Sequence, residues 1–297
     1  MIPLAPVSED DVPDQRTTIP VPPARAGTLD RFDLFGRWRG QTVAIKYGGS
    51  AMERADLRAA FAREVVRLHA AGVHPVVIHG GGPQIDALMR RLGKAPRFVD
   101  GLRVTDDETI ELVEMVLVGR INPEIVGLIN RHGGHAIGLN GKDDDLIVAH
   151  RLRVELGWVG DVDAVNAAPL RLLEAHGVIP VVAPIATGRD GATYNVNADH
   201  VAGAVAAALG AAVLLQLTDV PGILDRDGHH IPLMSRRGVE RLIREGVIDG
   251  GMVPKVGAAL SALRGGAARV RIVDGRQPGA VTLGLLGNDA PGTEIVL

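Results

Sequence analysis

The α/β character of this chain is set by two segments, QTVAIKYGGS at residues 41–50 and HPVVIHGGGP at residues 74–83. Each begins with an apolar run of strand length and ends in consecutive glycines. Helical spacing of apolar residues follows both, over residues 56–72 and from Pro83 to about Leu92. The alternation predicts a parallel sheet with helices on its faces. Both glycine loops should then lie at the carboxyl edge of the sheet, where open α/β folds bind ligands.

The rest of the chain continues this alternation. Asp106 is a candidate N-cap for a long helix, which Pro123 should kink or divide near Asn122. One continuous buried strand is predicted over residues 178–185. The second half adds helices and strands in turn, predicted at residues 198–209, 212–217, 238–244, 255–264, 270–273 and 293–296.

Composition narrows the class of protein. The chain has 297 residues, of which 46% are hydrophobic, 23% charged and only 3% aromatic, with a net charge of −3. Small aliphatic residues must therefore fill the core, which favours helix-on-sheet packing. Basic residues are not clustered, so no nucleic-acid or membrane partner is expected. The chain contains no cysteine, which excludes disulfides and thiolate metal sites.

The first 28 residues are Pro-rich and polar, which predicts a disordered or extended tail. Residues 1–14 carry four acidic residues and lack the basic segment of a secretory signal or transit peptide, and we expect a cytoplasmic protein. From Thr28 to Trp38, apolar and aromatic residues recur at helical spacing. Such a helix could pack onto its own domain or form an oligomer contact.

Phosphate chemistry is indicated by loops and lysines together. The P-loop and dinucleotide-binding signatures are absent. Lys46 and Lys255, however, each adjoin a glycine-rich loop at a predicted sheet edge, and phosphoryl transfer needs cations beside the moving group. The alternative is that both are surface lysines. Asp199, at the start of an apolar helix, is either a first-turn or N-cap acid or a carboxylate that orients the two lysines.

A series of motifs carries a more specific resemblance. In order these are IKYGGSAM, HGGGPQI, FVDGLRVTD, NVNAD, LTDVPGI, GGMVPKV and VDGR. Their order and spacing resemble those of the N-acetylglutamate kinases of the amino-acid kinase family, over about residues 40–297. The resemblance implies an α/β fold, a three-layer α/β/α sandwich with a mainly parallel central sheet. It also implies transfer of the γ-phosphate of ATP to the side-chain carboxylate of N-acetyl-L-glutamate in arginine biosynthesis, with Mg²⁺ carried by ATP and no direct protein ligand.

The resemblance divides the chain and assigns roles. Residues 1–28 would form the tail, residues 29–187 an N-terminal lobe for acceptor binding and dimerisation, and residues 188–297 an ATP-binding C-terminal lobe. Lys46 and Lys255 match the lysines that stabilise the transferring phosphoryl group, and Asp199 matches the aspartate that orients them. The remaining matches are the acceptor-binding residues Gly81, Gly82, Arg103 and Asn195 and the phosphate- or nucleotide-binding residues Gly48, Gly49, Thr218, Asp219 and Val220.

The sequence also departs from the family pattern. The middle hairpin, usually Gly-Leu-Ser-Gly-Lys-Asp-Gly, reads GLNGKDDD at residues 138–145. Arginine-inhibited members carry a glutamate where this chain has Gly284, and a Gly-x-Gly-Thr segment where it has residues 290–293. Loss of that carboxylate predicts weak or absent inhibition by arginine. A homodimer is expected, and a hexamer through the N-terminal helix stays possible.

Two other functions compete with acetylglutamate phosphorylation. The altered hairpin keeps open a paralogous kinase acting on glutamate or aminoadipate borne by a small acidic carrier protein, or on another N-acyl amino acid. The basic patch that could meet such a carrier is Arg90, Arg91, Lys94 and Arg97, which equally fits a solvated helix face. A catalytically idle binding protein on the same fold is disfavoured, because both lysines and the aspartate are present.

Overall fold

The computed structural model describes residues 34–286 and 291–297, which belong to one compact unit. The predicted tail, residues 1–28, and most of the predicted N-terminal helix lie outside these ranges. Because residues 34–297 belong to one unit, the division into an acceptor-binding lobe and an ATP-binding lobe stays a prediction.

An eight-stranded sheet forms the centre of the molecule. Its strands are β1 (Thr42–Tyr47), β2 (His74–His79), β5 (Ala136–Asn140), β8 (Ile179–Ala183), β11 (Val213–Thr218), β12 (Leu233–Ser235), β13 (Val270–Asp274) and β14 (Thr293–Val296). In space the order is β12-β14-β13-β11-β1-β2-β8-β5. Six neighbouring strands, from β13 to β5, are parallel, and among the described residues of this sheet only the pairing of β13 with β14 is antiparallel. The expectation of a mainly parallel sheet is thus confirmed.

Helices cover both faces of the sheet, which makes the sandwich three-layered. The helices are α1 (Ala55–Ala70), α2 (Gly82–Arg91), α3 (Asp107–Val116), α4 (Asn122–Arg131), α5 (Ala168–Ala175), α6 (Ala198–Leu209), α7 (Arg236–Arg244), α8 (Met252–Arg264) and α9 (Ala280–Leu285). Strand β1 shows how the two faces alternate. Val43 and Ile45 face one buried cluster with α1, α3, α4 and α9, whereas Ala44 faces the other with α6, α7 and α8. The predicted α/β/α sandwich is confirmed.

A small closed barrel corrects one prediction. Residues 178–185 do not form one strand: β8 ends at Ala183, and β9 (Ile185–Gly188) belongs to the barrel instead. Pro184 lies between them and supplies only its carbonyl group, which accepts a hydrogen bond from Val196 N at 3.1 Å. The barrel consists of β6 (Ile147–Arg151), β7 (Val159–Val165), β9 and β10 (Thr193–Val196).

The long helix after Asp106 is divided as predicted, but without a break. Asp106 caps α3, accepting from Thr109 N at 2.8 Å. One π-helical turn, Leu117–Ile121, then joins α3 to α4, and Pro123 occupies the first turn of α4. Proline has no N–H to donate, so the wider turn accommodates it while the chain stays helical.

The remaining features are a short hairpin and the first described residues of the chain. A hairpin, β3 (Phe98–Val99) with β4 (Leu102–Arg103), turns at Asp100 and Gly101, where φ is +50° and +77°. Phe35 and Trp38, in the described part of the predicted N-terminal helix, are buried in the core of their own domain. Within residues 34–286 and 291–297, no helix has both the length and the apolar character needed to cross a membrane.

Candidate active site

Two lysines share one buried carboxylate. Lys46 lies near the carboxyl end of β1, Asp199 in the first turn of α6 and Lys255 in the first turn of α8. Lys46 Nζ is 3.1 Å from Asp199 Oδ1, and Lys255 Nζ is 3.6 Å from Asp199 Oδ2. The side chains of Lys46 and Asp199 are each 9% exposed and that of Lys255 is 26% exposed. The fold therefore places two cations at one anion, with Lys255 the more accessible.

The electrostatics of Asp199 differ from those of an ordinary helix cap. Burial disfavours its charged form, but Lys46 and Lys255 outweigh that effect and hold the pKa of Asp199 below its usual value. The N-cap of α6 is Asn197, whose Oδ1 accepts from Asp199 N at 2.7 Å. The carboxylate of Asp199 is thus directed at the lysines, while its neighbour performs the capping.

A cavity of about 240 Å³ opens beside this ion-pair cluster. Glycine loops after β1 and β2, the β3–β4 hairpin and the turn before α6 form its walls. Its volume lies just below the ~300–1,000 Å³ typical of drug-sized ligands, so it suits a small molecule. The predicted site residues that line it are Lys46, Gly48, Gly49, Gly81, Gly82, Arg103, Asn195 and Asp199.

Both glycine loops need their glycines for close approach. A Cβ on Gly48 would lie 3.1 Å from Lys46 Nζ. A Cβ on Gly81 would lie 2.4 Å from Ile121 Cδ1 and 2.6 Å from Leu117 Cδ2. The absence of side chains leaves backbone amides at the edge of the cavity, a surface suited to anions.

Arg103 and Asn195 both line the cavity. Arg103, only 8% exposed, donates to the carboxylate of Asp86 and, at 3.2 Å, to the carbonyl oxygen of Gly82. Its guanidinium also lies 4.9 Å from the ring centre of Phe98. Asn195 Nδ2 donates to Thr105 Oγ1 at 3.2 Å. Both side chains are therefore oriented before any ligand binds.

Thr218, Asp219 and Val220 lie outside this cavity, at the end of the neighbouring strand β11. Thr218 Oγ1 accepts from Val220 N at 3.1 Å, which makes a tight turn. A Cβ on Gly49 would lie 2.6 Å from Asp219 Oδ1. The turn after β11 thus contacts the first glycine loop, and Lys255, also outside the cavity lining, reaches the site through Asp199.

Several residues that build the site were not found by sequence reasoning. Asp86 holds Arg103. His79 is fully buried, donates from Nδ1 to Gly80 O at 2.9 Å and accepts at Nε2 from Asn122 Nδ2 at 3.2 Å. Asn122 Nδ2 is also 2.9 Å from Val181 O. The one signal for this network was the position of His79 directly before the glycines.

The Arg276 guanidinium forms another unpredicted interaction near the turn that follows β11. Its Nε and Nη2 each donate at 2.8 Å to the carboxylate of Asp274. This hydrogen bond and attraction hold the pKa of Asp274 below its usual value. Asp274 pairs in register with Thr218, so the two strand ends lie side by side.

The combined geometry suits transfer of a highly charged group to a small acceptor. The cavity offers an arginine and an amide for the acceptor, bare amides for an anion and an adjoining pair of ammonium groups. Cations of this kind stabilise charge on a moving phosphoryl group. A sequence model described as the amino acid kinase family matches residues 41–274. The chain belongs to the amino acid kinase family.

Curated relatives within the amino acid kinase family agree in name. The chain is 46% identical over 269 residues to "Acetylglutamate kinase" of Burkholderia ambifaria (strain MC40-6), covering 87% of this chain and 90% of that protein. It is 47% identical over 286 residues to "Acetylglutamate kinase" of Syntrophobacter fumaroxidans, covering 92% and 96%. Both alignments extend over most of each chain.

Solved structures support the amino acid kinase fold. N-acetylglutamate synthase from Neisseria gonorrhoeae, complexed with coenzyme A and N-acetyl-glutamate, superposes with a TM-score of 0.80 at 24% identity. The match covers 89% of this chain and 61% of that one, so the chain spans about three-fifths of the synthase. Giardia carbamate kinase superposes with a TM-score of 0.64 at 18% identity, covering 86% and 99%. At these identities the likeness concerns the fold alone.

Proposed function

We propose that this chain is an acetylglutamate kinase, which transfers the γ-phosphate of ATP to the side-chain carboxylate of N-acetyl-L-glutamate and yields N-acetyl-L-glutamyl 5-phosphate. The observation that carries the proposal is the Lys46–Asp199–Lys255 cluster beside a cavity of about 240 Å³. The names of the curated relatives support the same substrate and a place in arginine biosynthesis.

In this mechanism the acceptor is bound by its backbone end. Arg103, held by Asp86, presents its remaining N–H groups to the α-carboxylate, because a guanidinium binds a carboxylate in a fork. Asn195 supports the same end of the acceptor. The side-chain carboxylate then points past the glycine loops, whose amides at Gly48 and Gly81 face the phosphate.

The two lysines act on the charge that moves during transfer. A carboxylate oxygen of the acceptor attacks the γ-phosphorus, and the bond to the β,γ-bridging oxygen breaks, leaving ADP. Lys46 and Lys255 stabilise the transferring phosphoryl group and the leaving oxygen. Asp199 takes no part in bond making and keeps both ammonium groups at fixed positions. Thr218, Asp219, Val220 and Gly49 belong to the nucleotide side.

Mg²⁺ is proposed to arrive with ATP. Magnesium prefers oxygen ligands and commonly binds substrate phosphates and water with few protein carboxylates. The donor set here fits that arrangement, because the buried carboxylate of Asp199 is already engaged by two lysines. Bound to the phosphates, the ion neutralises part of their charge.

A direct assay tests the function and its alternatives. Purified protein is incubated with ATP, Mg²⁺ and either N-acetylglutamate, N-acetylaminoadipate or a glutamate-charged carrier protein, and hydroxylamine traps any acyl phosphate. We expect hydroxamate with N-acetylglutamate at the highest kcat/KM. Preference for the carrier would support the paralogous kinase, and no product with any acceptor would refute both kinases.

A companion variant tests the role of Lys255. Lys255→Ala should lower kcat much more than it weakens ATP binding, since the lysine acts on charge that develops in the transition state. Kinetics and calorimetric ATP binding are measured on the same preparation. A defect confined to ATP binding would contradict the assigned role.

A homodimer is the proposed assembly. Strand β5 is at one edge of the main sheet, and its Ile137 is 45% exposed. On α3, Met115 is 59% exposed. Unpaired strand edges and exposed apolar side chains favour association with another copy. Light scattering after gel filtration measures the assembly and distinguishes a dimer from a hexamer.

A further inference from the structure

Gln216 is a buried amide in the middle of the sheet. It lies on β11 at the register position beside Lys46 of β1, and its side chain is completely buried. Register partners on neighbouring parallel strands point to the same face, so Gln216 lies on the face covered by α6 and α8. The adjacent residue of that face, Leu214, belongs to the apolar cluster. A fully buried amide beside an apolar cluster is unusual, because burying a polar side chain costs free energy unless it is hydrogen-bonded.

The amide of Gln216 reaches the helix that carries the second lysine. Its Nε2 donates to the carbonyl oxygen of Lys255 at 3.4 Å, a long hydrogen bond. Its Oε1 is buried and makes no hydrogen bond with any residue that the structure describes. An apolar side chain of equal length would fill the space without an unpaired oxygen. The unpaired amide oxygen of Gln216 therefore carries a cost to stability.

The start of α8 lacks a cap of its own. Gly250, with φ at +47°, and Gly251 precede the helix, and among residues 34–286 and 291–297 no side chain caps its first turn. By contrast, Asn197 caps the first turn of α6, which carries Asp199. The first turn of α8 is thus joined to the sheet by Gln216 rather than fixed by a local cap.

A close approach already fixes the middle of α8. A Cβ on Gly203 of α6 would lie 2.9 Å from Ala258 O of α8, so the two helices are in backbone contact there. This contact lies about one turn beyond Lys255. The hydrogen bond from Gln216 supplies the second point of attachment.

We propose that Gln216 is a positioning residue for phosphoryl transfer. It holds the first turn of α8 against β11 and so keeps Lys255 Nζ at the carboxylate that also binds Lys46. Gln216 does not touch the substrates. The inference rests on the proposed role of Lys255, and it assigns the alignment of the two lysines to a link through the sheet.

The test replaces the amide by a side chain of similar length. Gln216→Met can neither donate nor accept strongly, and we expect kcat to fall about tenfold, since small misplacements of a reacting group have large effects on rate. The KM for N-acetylglutamate and the calorimetric Kd for ADP should change by less than about twofold, because ground-state binding remains. Gln216→Glu, which loses the amide N–H donor, should lower kcat similarly. Leu214→Met, on the same face of the same strand, is the matched control and should keep wild-type kcat.

A double-mutant cycle separates positioning from a general packing defect. In a Lys255→Met background, whose residual turnover is measured at high enzyme concentration, Gln216→Met should have no further effect. Wild-type kcat in both Gln216 variants would overturn the inference, as would the same tenfold loss in the Lys255→Met background. If Lys255→Met itself kept normal turnover, the proposed role of Lys255 would fail together with the inference. Damage from Lys255→Met with silent Gln216 variants would refute the inference alone.

Discussion

Replacing Asp199 by asparagine removes the negative charge that two lysines share and keeps the shape of the side chain. Lys46 and Lys255 would then face each other without the anion between them. We expect kcat to fall by about 10²–10³, the range for loss of one preorganised electrostatic contact. The KM for N-acetylglutamate should change little, because the proposed contacts of Arg103 and Asn195 are with the far end of the acceptor.

The separations in the cluster give the size of the effect. At 3.1 and 3.6 Å, and with an effective dielectric constant of about 20, each lysine attracts the carboxylate by about 5 kcal/mol before desolvation is subtracted. Removing one partner of a buried ion pair destabilises proteins by about 3–5 kcal/mol. Since Lys255 keeps contact with water, we expect the free energy of unfolding to fall by about 3 kcal/mol, the lower end of this range.

Turnover and stability are measured separately. Hydroxamate formation gives kcat and both KM values, and urea unfolding gives the free energy of unfolding. Asp56→Asn is the matched control, because Asp56 pairs with Arg54 at 2.6 Å but its side chain is 63% exposed. Water screens this exposed pair, so its loss should barely change the free energy of unfolding, and the variant should keep wild-type turnover. An Asp199→Asn enzyme that retains a third or more of wild-type kcat would refute the role of the carboxylate.

Three further predictions concern pH, backbone strain and regulation. Burial lowers the pKa of His79 to about 4, so the unfolded chain takes up a proton at this residue between about pH 6.5 and 4 while the folded chain does not. The free energy of unfolding should therefore decrease as the pH is lowered through that window, by up to about 1.4 kcal/mol per pH unit. Urea unfolding of His79→Gln at pH 5 and 7 should show a smaller decrease, and a decrease equal to that of the wild type would contradict this prediction. Asp145 has φ at +49°, so Asp145→Gly should raise the free energy of unfolding by roughly 0.5 kcal/mol in the same assay, and a loss would argue against strain there. Arginine should inhibit turnover weakly or not at all, because Gly284 offers no carboxylate to a guanidinium, and a Cβ there would already lie 2.5 Å from Leu215 Cδ1; inhibition at low arginine concentration would contradict this.

Much of the fold follows from local signals in the sequence. Apolar runs that end in glycine mark β1 and β2, and the alanine-rich segment of α6 begins and ends where its spacing predicts. The division of residues 178–185 between two sheets was missed because both parts are equally apolar and buried. Only Pro184 marks the boundary, and proline is also tolerated at strand ends.

The candidate site was less accessible to sequence reasoning. The pattern alone left Asp199 as either a cap or an organiser, and only tertiary structure brings Lys46 and Lys255 to the same carboxylate. Resemblance to the family supplied that pairing. Gln216 escaped notice because one amide within an apolar strand has no periodic signature, and its partner is a backbone carbonyl 39 positions away.

The π-helical turn at Leu117–Ile121 makes this segment sensitive to its length rather than its composition. The wide turn holds one residue more than an α-helical path would, and it thereby sets the rotation of α4. Asn122, the first residue of α4, reaches Val181 O and His79 Nε2 through that rotation. Deleting one residue from the turn would rotate α4 by about 100° against the sheet and withdraw the amide from both partners. Conservative substitutions in the turn should be tolerated, whereas a single-residue deletion would release the support beneath the second glycine loop.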